Sequence, residues 1–276
     1  MIDIRRLAFI GGGNMAAALI GGLIKRGLAC ERIIVADTSS DQLQRLVRSY
    51  GVRGAADNAG AVSGAEVVVL AVKPQQMRSV ALGLSPHLTA SKPLVMSVAA
   101  GIPHAALARW FGPQIAVVRT MPNRPALNGF GATGLYAPAS VGAAHRALAE
   151  SIMAAVSATV WVEHESQMDT VTALSGSGPA YFFLFMEALE AAAHERGLPN
   201  EIAHKLTLET AFGAAQMARQ SSESLASLRD QVTSKGGTTA AALEVLDAAG
   251  LRAIVAHAVA AADRRSAELA AEFGTP

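Results

Sequence analysis

An α/β first half built on a doubly wound, mostly parallel sheet, followed by an all-α second half, is the fold class this sequence predicts. Short β-branched apolar runs alternate with helical patterns over about the first 160 residues, the pattern of a parallel sheet with helices on its faces. After Asp169 the period-2 runs stop and period-3.6 patterns take over. Between the first apolar run and the first helical pattern sits a glycine-rich turn.

The elements follow in order. "RLAFIGGG", "RIIVADTS", "EVVVLAVKP", "PLVMSVAAG", "QIAVVRTMPN" and "SATVWVEH" read as strands buried on both faces, each closed by Gly, Pro or polar residues. "AAALIGGLIKRG" and "SDQLQRLVRSYG" read as intervening helices, the second with a glycine stop. "GPAYFFLFMEALEAAAHERG" is apolar nearly all round and reads as a buried helix. Helical patterns continue through "NEIAHKLTLETAFGAAQMARQS", "SLASLRDQV", "TTAAALEVLDAAG" and "LRAIVAHAVAAADRRSAELAAEF". The change of period sets the expected domains at 1–163 and 164–276.

Composition narrows the function classes. The 276 residues are 51% hydrophobic and 16% charged, with 23 basic against 22 acidic groups. Such a balance points to no nucleic-acid partner and no anionic membrane surface. One cysteine, Cys30, has no internal disulfide partner, which suits a reduced cytoplasm. No leader pattern is read in residues 1–13, and no helix-forming apolar run reaches the length of a membrane span. A helical half this apolar is expected to share its core with a partner chain.

"AFIGGGNMAAALIGGL" places Gly11, Gly13 and Ala16 in a G-x-G-x-x-A pattern after a strand and opening a helix. Gly11 permits the tight turn, Gly13 admits a pyrophosphate close to the backbone, and Ala16 lets helix and strand pack closely. This context makes the first domain Rossmann-like. Asp37 ends the second strand 21 residues beyond Ala16, where an acid bonds an adenosine ribose and selects NAD. Thr38, Ser39 and Ser40, with Arg45 and Arg48 beyond, equally offer ligands for a 2′-phosphate, so NAD and NADP both stay open. Asp37 or Ser39 serving simply as a helix cap is the plain alternative.

Ligands of such sheets lie outside the carboxyl ends of the strands. Those ends carry Lys73 and Pro74, Ala99 and Ala100, and Met121, Pro122 and Asn123. The small Ala99 and Ala100 suit a flat ring lying close. A second anion turn stands at "TSKGGTTAAAL", Thr233 to Leu243, at the start of another helix. Ordinary capping by Ser234 or Thr238 is the alternative there.

Together "GGGNMA", "AVKPQ", "SVAAG", "RTMPNRP", "GSGPAYF" and "VTSKGGTTAAAL" resemble the pyrroline-5-carboxylate reductase family, in its order, from residue 10 to residue 243. The resemblance implies reduction of 1-pyrroline-5-carboxylate to L-proline by NAD(P)H, the last step of proline biosynthesis, with NADP(H) expected and NAD(H) open as a second cofactor. It implies a cytoplasmic oxidoreductase with an all-α C-terminal dimerisation domain, homodimers with interleaved helices, and dimers that in some members build decamers. Cofactor contacts carried over by motif fall on Ile10, Gly11, Gly12, Gly13, Asn14, Met15, Asn58, Ala71, Val72, Lys73, Pro74 and Ala99, joining Asp37 and Ser39. The substrate loop falls on Ser234 to Thr239. Two positions depart from the family: Lys235 stands where proline is usual, and Arg124 where threonine is.

On this reading the second turn holds the substrate carboxylate. Backbone N–H groups of Gly236, Gly237 and Thr238, with the Ser234 hydroxyl, bind it, and Thr239 aims its hydroxyl at the ring nitrogen. A protonated C=N accepts hydride without a strong acid, so proximity carries the rate. None of the seven histidines forms a nucleophile or metal pattern, and no metal site is expected. A 3-hydroxyacid dehydrogenase of similar plan is the alternative, but it needs a lysine on the first long helix of the second domain, where Phe182 stands. A catalytically silent dinucleotide sensor is a third reading.

Overall fold

The computed structural model describes residues 4–274; residues 1–3, where the segment read for a leader begins, and 275–276 lie outside it. The chain forms two compact units, one reaching Ser177 and taking in residues from Ala261 onward, the other Gly178–Ala260.

The first unit runs β1 (Leu7–Ile10), α1 (Asn14–Lys25), β2 (Ile33–Ala36), α2 (Ser40–Tyr50), β3 (Arg53–Gly54), α3 (Asn58–Val62), β4 (Val67–Leu70), α4 (Pro74–Leu88), β5 (Leu94–Ser97), α5 (His104–Phe111), β6 (Val117–Met121), β7 (Gly131–Tyr136), α6 (Ala143–Met153), β8 (Ser157–Trp161) and α7 (Gln167–Val171). The sheet order is β3-β2-β1-β4-β5-β6-β7-β8, parallel throughout except that β7 is antiparallel to β6. The order reverses direction between β1 and β4, the switch point where this architecture opens its ligand crevice.

Alternation along each strand feeds two cores. Leu7 and Phe9 of β1 join Leu19, Leu23 and Leu46 on one face, while Ala8 and Ile10 join Met77, Leu84 and Leu107 on the other. Each such fully buried side chain contributes about 1.5–3 kcal/mol relative to exposure. The helix ends follow their sequence signals. Ser39 Oγ accepts from Gln42 N at the start of α2, and Gly51 closes that helix in the left-handed region.

Two strands escaped the periodicity reading. β3 is two exposed residues long, too short to show a pattern. β7, "GATGLY", hides behind its glycines, and Gly134 is there for space: a Cβ on it would lie 2.6 Å from Val171 Cγ1. β8 is not buried on both faces as expected. It is the sheet's edge strand, and alternate residues face outward, Val160 being 64% exposed.

The expected division at 163/164 follows the change from strands to helices. The compact units divide instead after Ser177, because α7 and the π-helical turn Thr172–Gly176 pack with β7 and its neighbours. Residues beyond Ala261 return to the same unit: Ser266 Oγ donates to Asp169 Oδ1 at 2.7 Å, and Thr170 Oγ1 to Asp263 Oδ2 at 2.7 Å.

The second unit holds α8 (Gly178–Glu195), α9 (Asn200–Gln220), α10 (Leu225–Gln231), α11 (Thr238–Ala248) and the start of α12 (Leu251–Phe273). α8 and α9 pack together, with Glu190 Oε1 and His204 Nδ1 2.7 Å apart. α8 is not the buried helix its composition predicts. Of its residues only Gly178 is buried, and Phe182, Phe183 and Leu184 are each more than 60% exposed. One neighbour covers one stripe of a helix that is apolar all round. Among the described residues, no single helix is long and apolar enough to cross a membrane.

Candidate active site

The first cradle lies at the carboxyl ends of β1, β2 and β4. Gly11 N donates to Ala36 O and Ala71 N to Ile10 O, both at 2.8 Å, which aligns the three strand ends. Gly11 has φ +95°, and a Cβ there would stand 2.6 Å from the Ala71 carbonyl oxygen, so both conformation and space demand glycine. A Cβ on Gly12 would press Leu46 at 2.9 Å. Gly13 differs: a Cβ on it meets nothing within 4 Å, so this residue borders open space. It is also the N-cap of α1, which no side chain caps. A helix start with unsatisfied N–H groups and a positive dipole end, bordered by open space, fits an incoming diphosphate.

Asp37 is tied into this turn. Its Oδ2 accepts from Gly12 N at 2.5 Å and its Oδ1 from Ser39 N at 2.7 Å. Each oxygen keeps a lone pair, but the carboxylate clips two backbone segments together whatever else it binds. Ser39 caps α2. The plain alternative of capping therefore holds for Ser39, and Asp37 has a structural task besides any ligand contact.

Around the cradle stand the other expected contacts. Asn58 opens α3, whose cap is its neighbour Asp57, accepting from Gly60 N at 2.7 Å. Ala71 and Val72 are half-buried, Lys73 is exposed, and Pro74 starts α4. Ala99 is buried just past β5, its N–H donating to Ser97 Oγ at 3.3 Å. Ile10, Asn14 and Met15 complete the stretch along β1 and α1.

At the end of β6, Asn123 is 9% exposed; its Nδ2 donates to Ser175 O at 3.0 Å and its Oδ1 accepts from Ala132 N at 2.9 Å. Arg119, on the same strand and buried, pairs with Glu165, whose Oε1 also accepts from His104 N at 2.5 Å. Burial holds the His104 imidazole below the ordinary histidine range, opposed by the Glu165 carboxylate and a hydrogen bond to Val117; Arg119 adds to the lowering. Sequence reasoning placed Asn123 at a strand end facing the ligand crevice, but gave Arg119, Glu165 and His104 no role. Apart from the bond between Asn123 and Ala132, the ties from Arg119, Asn123 and His104 to Glu165 and Ser175 span 46 to 61 residues. The one available signal was an arginine inside an apolar strand, since a buried charge requires a partner.

The second cradle lies in the helical unit. Gly236 has φ +70°, and Gly237 N donates to Ser234 O at 3.0 Å, closing a tight turn. Gly237 is the N-cap of α11, and again no side chain caps the helix. Its amide, expected among the anion donors, is used within the turn. The helix-start donors are those of Thr238, Thr239 and Ala240, since the first intrahelical bond runs from Ala241 N to Gly237 O. A Cβ on Gly237 would sit 2.3 Å from Ser234 Oγ, so that hydroxyl lies right against the helix start. Lys235 is exposed and Thr239 half-buried.

Residues 6–101 match a family model described as NADP oxidoreductase coenzyme F420-dependent, and residues 165–269 one described as pyrroline-5-carboxylate reductase dimerisation. The pyrroline-5-carboxylate reductase of Pseudomonas aeruginosa is 49% identical over 269 residues, covering 98% of both chains. This chain belongs to the pyrroline-5-carboxylate reductase family. Two solved reductases of that kind agree with it throughout. The one from Coxiella burnetii is 44% identical with a TM-score of 0.93, covering 97% of this chain and 99% of its own. That from Plasmodium falciparum, solved with NADP bound, is 29% identical with a TM-score of 0.85, covering 98% and 99%. The matched dimerisation block begins at Glu165, the partner of Arg119.

Proposed function

We propose that this chain reduces 1-pyrroline-5-carboxylate to L-proline, the last step of proline biosynthesis, with NADPH as reductant and NADH as a second donor. The observation that carries the reading is the second uncapped helix start, at Gly237, in a chain that already has one at Gly13. One suits a diphosphate; the other suits a small carboxylate.

Bound NADPH supplies the hydride. The chain's own part begins with Gly11 and Gly12, which fold the turn tightly enough for α1 to present its amides, and Gly13, which leaves room for the phosphates. Ile10, Asn14, Met15, Asn58 and Ala71 to Pro74 line the same strand ends, and Ala99 offers a small surface to a flat ring. In the helical unit, the amides of Gly236, Thr238, Thr239 and Ala240 with the Ser234 hydroxyl take the carboxylate. Each charge-assisted bond sheltered from water contributes about 1.5–3 kcal/mol. Thr239 holds the ring nitrogen through its hydroxyl. Because the protonated imine already carries the charge that draws hydride, no residue has to act as a strong acid. The hydroxyacid alternative lacks its base: Phe182 stands at the comparable place on α8.

The exposed apolar surface of α8 and its neighbours supports a homodimer through the helical unit, as does the dimerisation model that residues 165–269 match. Sedimentation as a monomer at micromolar concentration would contradict it. The lone Cys30 suits a cytoplasmic setting. The catalytic reading is tested by mixing the protein with NADPH and 1-pyrroline-5-carboxylate and following absorbance of the reduced nicotinamide. Consumption that requires the imine supports it; none with either reduced cofactor overturns it.

A further inference from the structure

The turn Thr172–Gly176, at the end of the first unit's helix α7, is π-helical. Ser177 N reaches back to Thr172 O at 2.9 Å, the i to i+5 bond that defines it. Such turns persist where surrounding contacts over-determine them, and they gather at functional sites. Here the contacts come from β6. Asn123, one residue past Pro122 at the strand's carboxyl end, donates to Ser175 O and accepts from Ala132 N, so one buried amide ties the turn to the strand end and to β7. Met121 packs on the turn as well: a Cβ on Gly176 would lie 2.6 Å from Met121 Cε. At its other end the same segment is held by Arg119 through Glu165, whose carboxylate also takes the amide that opens α5, beyond Ala99. Arg119 on β6 and Asn123 just past its end thus moor both ends of residues 165–175. The neighbouring strand β5 ends just before Ala99.

We propose that Asn123 is a positioning residue for hydride transfer: it fixes the π turn against the carboxyl end of β6, so that Met121 keeps one alignment beside the ring-binding surface at Ala99. This rests on the reductase reading above. Both ends of the Asn123 amide are engaged within the chain, so it acts through the turn and Met121. The residue type is required because the site needs one acceptor and one donor on a single short side chain, aimed at Ala132 N and Ser175 O. Aspartate keeps the acceptor but loses the donor, and its charged oxygen would face the Ser175 carbonyl. A buried carboxyl so placed favours its neutral form, which can donate again.

The test is the full-length protein carrying Asn123→Asp, with circular dichroism and thermal melting as controls on folding. At pH 8 the proposal predicts a kcat lower by about tenfold or more, since small misplacements of reacting groups cost that much. The dissociation constant for NADPH should stay within about twofold of wild type, a factor worth only about 0.4 kcal/mol. As pH is lowered towards 6, the ratio of variant to wild-type kcat should rise. Gly176→Ala presses on Met121 from the other side without touching Asn123, and it decides the matter if Asn123→Asp fails to fold. It predicts a several-fold loss of kcat with the same unchanged NADPH affinity. Wild-type kcat in both folded variants, or a loss seen in cofactor affinity alone, would overturn the proposal. An inactive wild-type protein would instead remove the reductase reading on which it rests.

Discussion

The amide of Gly12 donates to the carboxylate of Asp37 at 2.5 Å, joining the glycine turn after β1 to the end of β2. The other carboxylate oxygen takes Ser39 N at 2.7 Å, so Asp37 bridges the first turn and the cap of α2. Its position is the one where an acid reads the adenosine ribose. A residue with both tasks cannot be changed for selectivity alone. Asp37→Asn exchanges one accepting oxygen for an N–H pair, and one of the two backbone donors loses its partner. Bonds to charged groups are worth about 1.5–3 kcal/mol, reduced here because Asp37 is half-buried. Affinity for NADPH and NADH should therefore both fall, by about tenfold. Titration with each cofactor checks this; a gain in NADPH affinity with NADH affinity lost would mean that Asp37 acts mainly on the 2′-position.

The three glycines of the turn should behave differently. Gly13→Val enters open space, so the melting temperature should hold while NADPH affinity falls at least tenfold, about 1.4 kcal/mol. Gly11→Ala should instead lower stability, by on the order of 1–3 kcal/mol, because φ +95° and the Ala71 carbonyl both oppose a Cβ. Thermal melts with parallel NADPH titrations separate the two effects. Unchanged NADPH binding in Gly13→Val would move the diphosphate away from α1.

Thr239→Ala removes the hydroxyl proposed to hold the ring nitrogen while keeping the α11 amides. Turnover with 1-pyrroline-5-carboxylate should drop by about two to three orders of magnitude, the range seen when one preorganised hydrogen-bonding group at the reacting centre is removed, roughly 100–1,000-fold. NADPH binding should not change. Equal turnover by mutant and wild type would take Thr239 out of the mechanism.

His104 gives the fold a pH dependence of definite sign. Its folded-state pKa lies below the ordinary value of about 6.5, with burial the largest cause. The unfolded chain therefore binds this proton more readily than the folded one. The stability involved is fully present above about pH 7 and is lost as pH falls through 6.5 towards the lowered folded value. Melting temperatures of wild type and His104→Gln should diverge least at acid pH and most above neutrality. A wild-type melting temperature that rises on acidification from pH 7 to 5, relative to the variant, would reverse the assignment.

Much of the fold was legible because burial imposes periodicity. The parallel strands β1, β2, β4 and β5 are buried on both faces, and no other local structure explains runs such as "VVVL" between helical patterns. The glycine turn was legible because backbone geometry restricts residue type at Gly11. What escaped notice lacked a local signal. β7 contains the glycine that admits Val171, and glycine reads as a turn. α8 looked buried because composition reports what a surface requires, not which chain supplies the cover. The ties from Arg119 to Glu165 and from Asn123 to Ser175 join residues far apart in sequence, so only folding brings each pair together. Gly237 showed its value as a helix start in the sequence, but its amide turned out to be used within its own turn.

A crystal structure of the protein with oxidised NADP and L-proline together addresses the central claim most directly. The account predicts the proline carboxylate at about 2.7–3.1 Å from the amides of Thr238 and Thr239, with its ring nitrogen facing the Thr239 hydroxyl. Proline held elsewhere, with the residues 234–239 turn facing only solvent, would contradict it.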